Sequence, residues 1–342
     1  MSNTKEYNSS GPGKKGTIFG LPFDRANAST VLVPVPWDVT TSYQSGTANG
    51  PKAILDASPQ IDLQLFGRKE APWKNGIFMD VIPEKILKAS KELRELVEPY
   101  MKALEDGADG SHYQEVIDKV NMSSLSLNAI VMKAAKELID AGKMVGIVGG
   151  DHSVSYGFLE ALSTKYNEFG VLQIDAHMDL RKAYEGFTHS HASSMYNAIQ
   201  LPSVVKLVQV GIRDFSEEEL HLASMSEKVE TFFDMELMEN RFTGGHWHTM
   251  AKDIISRLPH FVYVSFDIDG LNPHLCTGTG TPVPGGLEYN EAIYLLNMIV
   301  KSGRRVIGFD LCEVAPKEGD KEWNANVGAR VLYNLCSVAM DH

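Results

Sequence analysis

The stretch Gly170 to Arg181 reads GVLQIDAHMDLR and carries three potential metal ligands within five residues, Asp175, His177 and Asp179. Two carboxylates and an imidazole suit a hard or borderline divalent cation. The preceding run, Val171-Leu172-Gln173-Ile174, is short and mostly aliphatic, as a buried parallel strand is. In open α/β sheets ligands collect beyond the carboxyl ends of the strands. Taken alone, the pattern also fits a polar turn after a strand. Two further stretches repeat it. Val145 to Val148 precedes Gly149-Gly150-Asp151-His152-Ser153, and Phe261 to Phe266 precedes Asp267-Ile268-Asp269-Gly270. Three strands that deliver acids or imidazoles at the same end predict one acid-rich site.

The elements that must position these residues alternate along the chain. Residues 1–28, rich in Ser, Gly, Asn and Lys, read as a flexible or partner-contacting arm, and 29–342 as a single domain. Val31 to Pro36 starts the sheet, and its prolines predict an end or edge position. Trp37 to Pro51 is a long polar loop, and Pro51 opens a helix. Helical spacing covers residues 84–105 and about 112–141, with Gly142 ending the second before a Met144 to Val148 strand. A strand over 204–210, a helix from Ser216, the Phe261 strand, a helix over 288–301, a strand over 305–311 and a helix over about 325–340 follow. The alternation predicts a mostly parallel sheet with helices on both faces, their charges being solvated.

Composition narrows the function. The 342 residues, 43% of them hydrophobic, allow one large α/β domain or two smaller ones. A net charge of −12 with no basic block gives no support to nucleic-acid binding. No uninterrupted apolar stretch is long enough to span a bilayer, and Met1 to Gly16 lacks the apolar core of a secretory signal. Cys276, Cys312 and Cys336 are odd in number and form no C-x-x-C pattern, so a cytoplasmic location without disulfides is expected. Cys312 and Cys336 read as small buried filler.

GGDHS, DAHMD and SFDIDGLNP, followed in order by Thr279 to Gly286 and Glu313-Val314-Ala315-Pro316, resemble the ureohydrolase family. That family comprises arginase, agmatinase, guanidinobutyrase and formimidoylglutamase. The resemblance runs from about Val31 to the C-terminus. It implies the three-layer α/β/α arginase/deacetylase-like fold with an eight-stranded, mostly parallel sheet. It also implies a binuclear-metal hydrolase that cleaves a guanidino C–N bond to give urea and an amine. By the resemblance, His152, Asp175, Asp179 and Asp267 hold one divalent ion. Asp175, His177, Asp267 and Asp269 hold the other, so that Asp175 and Asp267 bridge. Mn²⁺ is the family's usual ion, and Ni²⁺ is the alternative. His191 matches the histidine that passes a proton to the leaving amine, a task for an imidazole titrating near the working pH. Glu313 matches the glutamate that pairs with the guanidinium. Thr41 to Pro51 matches a segment near the active-site mouth. Asp151 is expected to orient neighbours or shape a turn, and a homotrimer or homohexamer is expected.

The loop after Asp179 departs from arginase, which carries asparagine where this chain has Arg181. D-L-R followed by S-H-A resembles one branch of the agmatinases, and D-L-R alone also resembles formimidoylglutamase. Arg181 either meets a substrate carboxylate or is structural, paired with Glu185. Trp323 is an aromatic that would shorten a pocket lying beside it. Hydrolysis of agmatine to putrescine and urea is the first expectation. Guanidine hydrolase, formimidoylglutamase and arginase or guanidinobutyrase are the alternatives, with a non-catalytic relative last. A single-zinc deacetylase is disfavoured because both metal sets are complete. His246 and His248 have metal-like spacing but no adjoining acids, and read as loop histidines. His221, His260 and His274 read the same way, and His189 is open between pocket and solvent.

Overall fold

The computed structural model describes residues 7–341. Eight strands form one sheet: β1 (Thr30–Val35), β2 (Ile77–Met79), β3 (Met144–Gly149), β4 (Phe169–Ile174), β5 (Val204–Ile212), β6 (Val229–Phe233), β7 (Phe261–Asp267) and β8 (Arg305–Cys312). Their order is β2-β1-β3-β8-β7-β4-β5-β6, and every pairing is parallel. The consequence for the site lies in the middle of that order. β3, β8, β7 and β4 are neighbours, and each ends in one of the predicted residues or runs into it. The strands are near-continuous aliphatic runs because both faces are covered.

One face packs on α8 (Trp247–Ser256), α9 (Tyr289–Lys301) and α10 (Trp323–Ala339), through Val264, Phe266, Leu311, Leu295 and Leu332. The other packs on α3 (Gln114–Asp140), α4 (Tyr156–Ser163) and α5 (Ser194–Gln200), through Ile147, Val171, Tyr263, Phe158 and Met195. Burying a Phe or Leu side chain of this kind contributes about 1.5–3 kcal/mol. The expected α/β/α layering is therefore present. α1 (Gly50–Ala57), α2 (Glu84–Glu105), α6 (Glu217–Met225) and α7 (Asp234–Phe242) complete the α-helices among the described residues. Ser216 opens α6 with a capping box closed by Glu219.

Three local expectations need correction. Of the end or edge position expected from the prolines, the end holds, since Pro34 is the penultimate residue of β1 and Pro36 follows it, but the edge does not, since β1 lies between β2 and β3. Its Pro34 is tolerated because alternate amides of β1 face β2, starting with Thr30, which donates to Gly76. β2 pairs only with Thr30 to Leu32 and has ended before it reaches Pro34. The expected arm 1–28 also falls short. Residues 1–6 lie outside the described part, while Ile18, Phe19 and Leu21 are buried in the core and the Tyr7 ring packs edge-on against Trp73. His248 sits within α8, bonded to the Tyr294 hydroxyl, and His246 is its N-cap residue, so the pair is not in a loop.

Candidate metal centre

β4 ends at Ile174, and the chain turns through Asp175 to Asp179 by satisfying its own carboxylates. Asp175 Oδ1 accepts the His177 amide at 2.7 Å, and Oδ2 accepts Gln173 Nε2 at 2.8 Å. At the end of β7, Asp267 Oδ1 accepts the Asp269 amide at 2.8 Å, and Asp269 Oδ1 accepts the Ala176 amide at 3.1 Å. Asp267 and Asp269 thus each give one oxygen to an amide and turn the other inward, while Asp175 has both oxygens held by these bonds and still facing the two histidines. The two loops pack this closely because residue 270 is glycine; a Cβ there would lie 2.6 Å from the Asp175 nitrogen. Asp179 and Glu313 both adopt left-handed backbone, at φ 55° and 65°. Non-glycine residues in that region are strained, and such strain collects at functional sites.

The inward atoms converge. His152 Nδ1 lies 2.9 Å from Asp179 Oδ2, 3.1 Å from Asp175 Oδ2 and 3.5 Å from Asp267 Oδ2. His177 Nδ1 lies 3.2 Å from Asp269 Oδ2 and 3.6 Å from Asp175 Oδ1. Asp175 belongs to both groups, one oxygen to each. His152, Asp175, Asp179, Asp267 and Asp269 are buried and His177 is partly so. His152 Nδ1 has no hydrogen-bond partner despite its burial. An orphaned ring nitrogen amid carboxylate oxygens fits a cation.

The electrostatics agree. Burial and the Asp175 charge raise Asp179 to about 6, and burial raises Asp151 to about 6. Asp267 is pushed well up by burial and by Asp269, Asp175 and Glu313. Burial disfavours charge on His152, but Asp175 and Asp179 outweigh it and drive the imidazole well up. Protons therefore take the place of cations here. An acid whose folded value is raised keeps its proton in the fold after the unfolded chain has lost it. Its contribution to stability falls as pH rises between about 4, the unfolded value, and the folded value. The histidines act in the same direction, since a raised imidazole loses its stabilising effect as pH climbs through its folded value. Mn²⁺ added to metal-free protein is thus expected to raise Tm more at pH 8 than at pH 5.5. Differential scanning fluorimetry checks it; equal increments at the two pH values would count against the donor set.

Glu313 directly follows β8. Its Oε1 accepts the His152 amide at 3.0 Å, while Oε2 is buried without a partner. His191 is buried, its amide held by Thr40 Oγ1 at 3.1 Å, and Thr40 Oγ1 in turn donates to Asp151 Oδ2 at 3.0 Å. Asp151 also accepts from Ser153, so it orients neighbours, as expected. His191 Nε2 has no partner. Burial, then the positive charge of His177 and His152, hold the imidazole down at about 3. Burial and these neighbours thus favour the neutral imidazole in the metal-free fold, with Nε2 as an acceptor.

A cleft of about 300 Å³ opens onto His177, Asp179 and His191, walled by Ser42, Tyr43, Arg181, Tyr184, Asp214, Phe215 and Glu219. Arg181 Nε lies 3.5 Å from Glu219 Oε2, and its guanidinium stacks 4.8 Å from the Tyr184 ring centroid. Its partner is Glu219 and not Glu185. The same Glu219 accepts the Leu180 amide at 3.1 Å and closes the α6 capping box. Trp323 does not wall the cleft; it is half exposed and donates to the Leu275 carbonyl at 2.8 Å. His189 packs edge-on against Tyr156, also away from the cleft. Sequence reasoning missed Gln173, Gln209, Ser265 and Asp310, fully buried polar groups inside apolar strands. Their signal was present, since a polar residue within a buried run demands a partner.

Residues 28–337 match the arginase family. An N(1)-aminopropylagmatine ureohydrolase of Thermus thermophilus is 30% identical over 303 residues, 87% of this chain and 87% of that one. An agmatinase of Halalkalibacterium halodurans is 34% identical over 236 residues, 68% of this chain and 76% of that one. Among solved structures, the proclavaminate amidino hydrolase of Streptomyces clavuligerus shares the fold. Its TM-score is 0.72 at 23% identity, over 94% of this chain and 96% of that one. The chain belongs to the arginase family. It is an agmatinase-like ureohydrolase, a hydrolase acting on guanidino compounds. The family is one of binuclear divalent-metal enzymes, and the two donor groups found here, His152-Asp175-Asp267 and Asp175-His177-Asp269, suit that centre.

Proposed function

We propose that this chain hydrolyses agmatine to putrescine and urea. His152, Asp175, Asp179 and Asp267 are assigned to one divalent ion, and Asp175, His177, Asp267 and Asp269 to the other, Mn²⁺ before Ni²⁺. Two such ions, when bound, lower the pKa of water towards neutrality. Glu313 is assigned to the guanidinium, whose paired N–H groups match a carboxylate. Its Oε2 is free on that side, and Gly280 keeps it accessible: a Cβ there would lie 2.9 Å from Oε2. His191, neutral and unpartnered at Nε2, is assigned to take a proton from the attacking water and deliver it to the departing amine. The guanidino carbon gains oxygen and loses the amine, leaving urea.

The choice of agmatine rests on the cleft wall. Asp214 and Glu219 line it, and the guanidinium there, that of Arg181, is engaged by Glu219 and Tyr184. An ammonium tail suits that wall and a carboxylate tail does not. The test is urea or formamide release from agmatine, 4-guanidinobutyrate, arginine, guanidine and formimidoylglutamate at equal concentration, each with Mn²⁺ or Ni²⁺. Agmatine is expected to exceed arginine at least about tenfold, the ratio that 1.4 kcal/mol produces. Urea from guanidine alone would reassign the chain as a guanidine hydrolase. Formamide release lost in Arg181→Ala would make it a formimidoylglutamase. We also infer a single domain over 29–342, since one sheet draws strands from Thr30 to Cys312. A homotrimer or homohexamer is proposed by resemblance to the family. A cytoplasmic location is proposed because all three cysteines are free and buried. No helix among the described residues is long and apolar enough to cross a membrane.

A further inference from the structure

We propose that Asp310 is a positioning residue which, through Ser265, determines which nitrogen of His152 is free to bind a metal ion. The proposal rests on the assignment of His152 as a metal ligand. Asp310 on β8 and Ser265 on β7 are register partners, and both are fully buried. A carboxylate in the centre of a sheet is tolerated only where donors converge on it. Four do. The Phe266 amide donates to Oδ1 at 3.2 Å, the Tyr263 hydroxyl to Oδ2, the Ser265 hydroxyl to Oδ2 at 2.9 Å, and the Cys312 thiol to Oδ1 at 3.7 Å.

A serine hydroxyl has one proton to give. With that proton directed at Asp310, the Ser265 oxygen is an acceptor towards its other neighbour, His152 Nε2, at 2.8 Å. The imidazole proton is then held on Nε2. In the neutral ring, the form that binds an ion, Nδ1 is left with its lone pair aimed at the space between Asp175, Asp179 and Asp267. The tautomer needed for a metal ligand is thus set three groups away from the ion.

The second histidine has no such support. His177 Nε2 lies 3.9 Å from Asp214 Oδ2, beyond hydrogen-bond distance, and its side chain is 23% exposed. The two halves of the centre are therefore unequal, and loss of Asp310 acts on one of them. In Asp310→Asn the amide can turn its N–H₂ towards Ser265. The serine proton then points at Nε2, and the imidazole proton moves to Nδ1, where the ion belongs.

The experiment is a calorimetric titration of metal-free wild type and Asp310→Asn with Mn²⁺. Wild type is expected to take two ions. In the variant, one site is expected to weaken about 10–100-fold, the usual effect of removing a group that orients a ligand, with the other largely retained. Excess Mn²⁺ should restore turnover without changing KM, which a general packing defect would not do. Nitrogen-15 NMR of histidine-labelled wild type loaded with diamagnetic Zn²⁺ tests which nitrogen of His152 takes the ion even if the variant misfolds. The His152 signals, assigned by their loss in His152→Asn, should show a proton on Nε2 and none on Nδ1. Two ions in wild type with the proton on Nδ1, or equal weakening of both sites in Asp310→Asn, would overturn the relay alone. A wild type that takes up no Mn²⁺ would overturn the metal assignment beneath it as well.

Discussion

Asp267→Asn is expected to abolish urea release and to lower bound metal while leaving the fold intact. Asp267 closes β7, gives Oδ1 to the Asp269 amide and points Oδ2 at the His152 ring. Asparagine has nearly the same shape and keeps an oxygen for that amide, but it removes one negative charge from the centre. Burial and the neighbouring Asp269, Asp175 and Glu313 already oppose that charge in the absence of a cation. The metal-free variant should therefore melt no lower than metal-free wild type, so loss of activity would not be loss of structure. Metal analysis by mass spectrometry and a urea assay on the same preparations check it. His246→Ala and His248→Ala should retain full metal content, since both lie on or beside α8, away from the acids. An Asp267→Asn enzyme that turns over at the wild-type rate would sink the two-ion assignment.

His191→Ala is expected to cut turnover by about 10²–10⁴-fold with both ions still bound, the range that positioned proton transfer contributes. The geometry separates this residue from the metal ligands. Its amide is fixed by Thr40, its ring stands edge-on to Tyr184, 6.1 Å away, and Nε2 is buried and unpartnered. Because burial and the nearby histidines hold it neutral, it enters the reaction ready to accept a proton. Single-turnover measurement with agmatine and metal analysis of the variant test the role together. An emptied centre in His191→Ala would mean that the residue supports the ions instead.

What could be read from the sequence was what lies close together along the chain. Asp175, His177 and Asp179 share one turn, and Asp267 and Asp269 another. Each turn follows an aliphatic run, so both the ligands and the strand ends that present them were visible. What depends on pairing across the sheet or on distant caps was not. Arg181 was matched with Glu185, four residues on, but its partner is Glu219, brought over by the start of α6. Ser265 and Asp310 are 45 residues apart and meet only through the β7–β8 register. Trp323 lies near the site in the order of motifs, yet α10 turns it outward to brace Leu275. Pro34 suggested an edge because the brevity of β2, three residues long, could not be foreseen. The burial of His191 was not legible either, since burial is a property of the whole fold.

The most direct measurement is an anomalous difference map from crystals grown with MnCl₂. Two peaks about 3.5–4 Å apart are expected. One should be bound by His152, Asp175, Asp179 and Asp267, and the other by Asp175, His177, Asp267 and Asp269. A single peak, or two peaks that share neither Asp175 nor Asp267, would contradict the account.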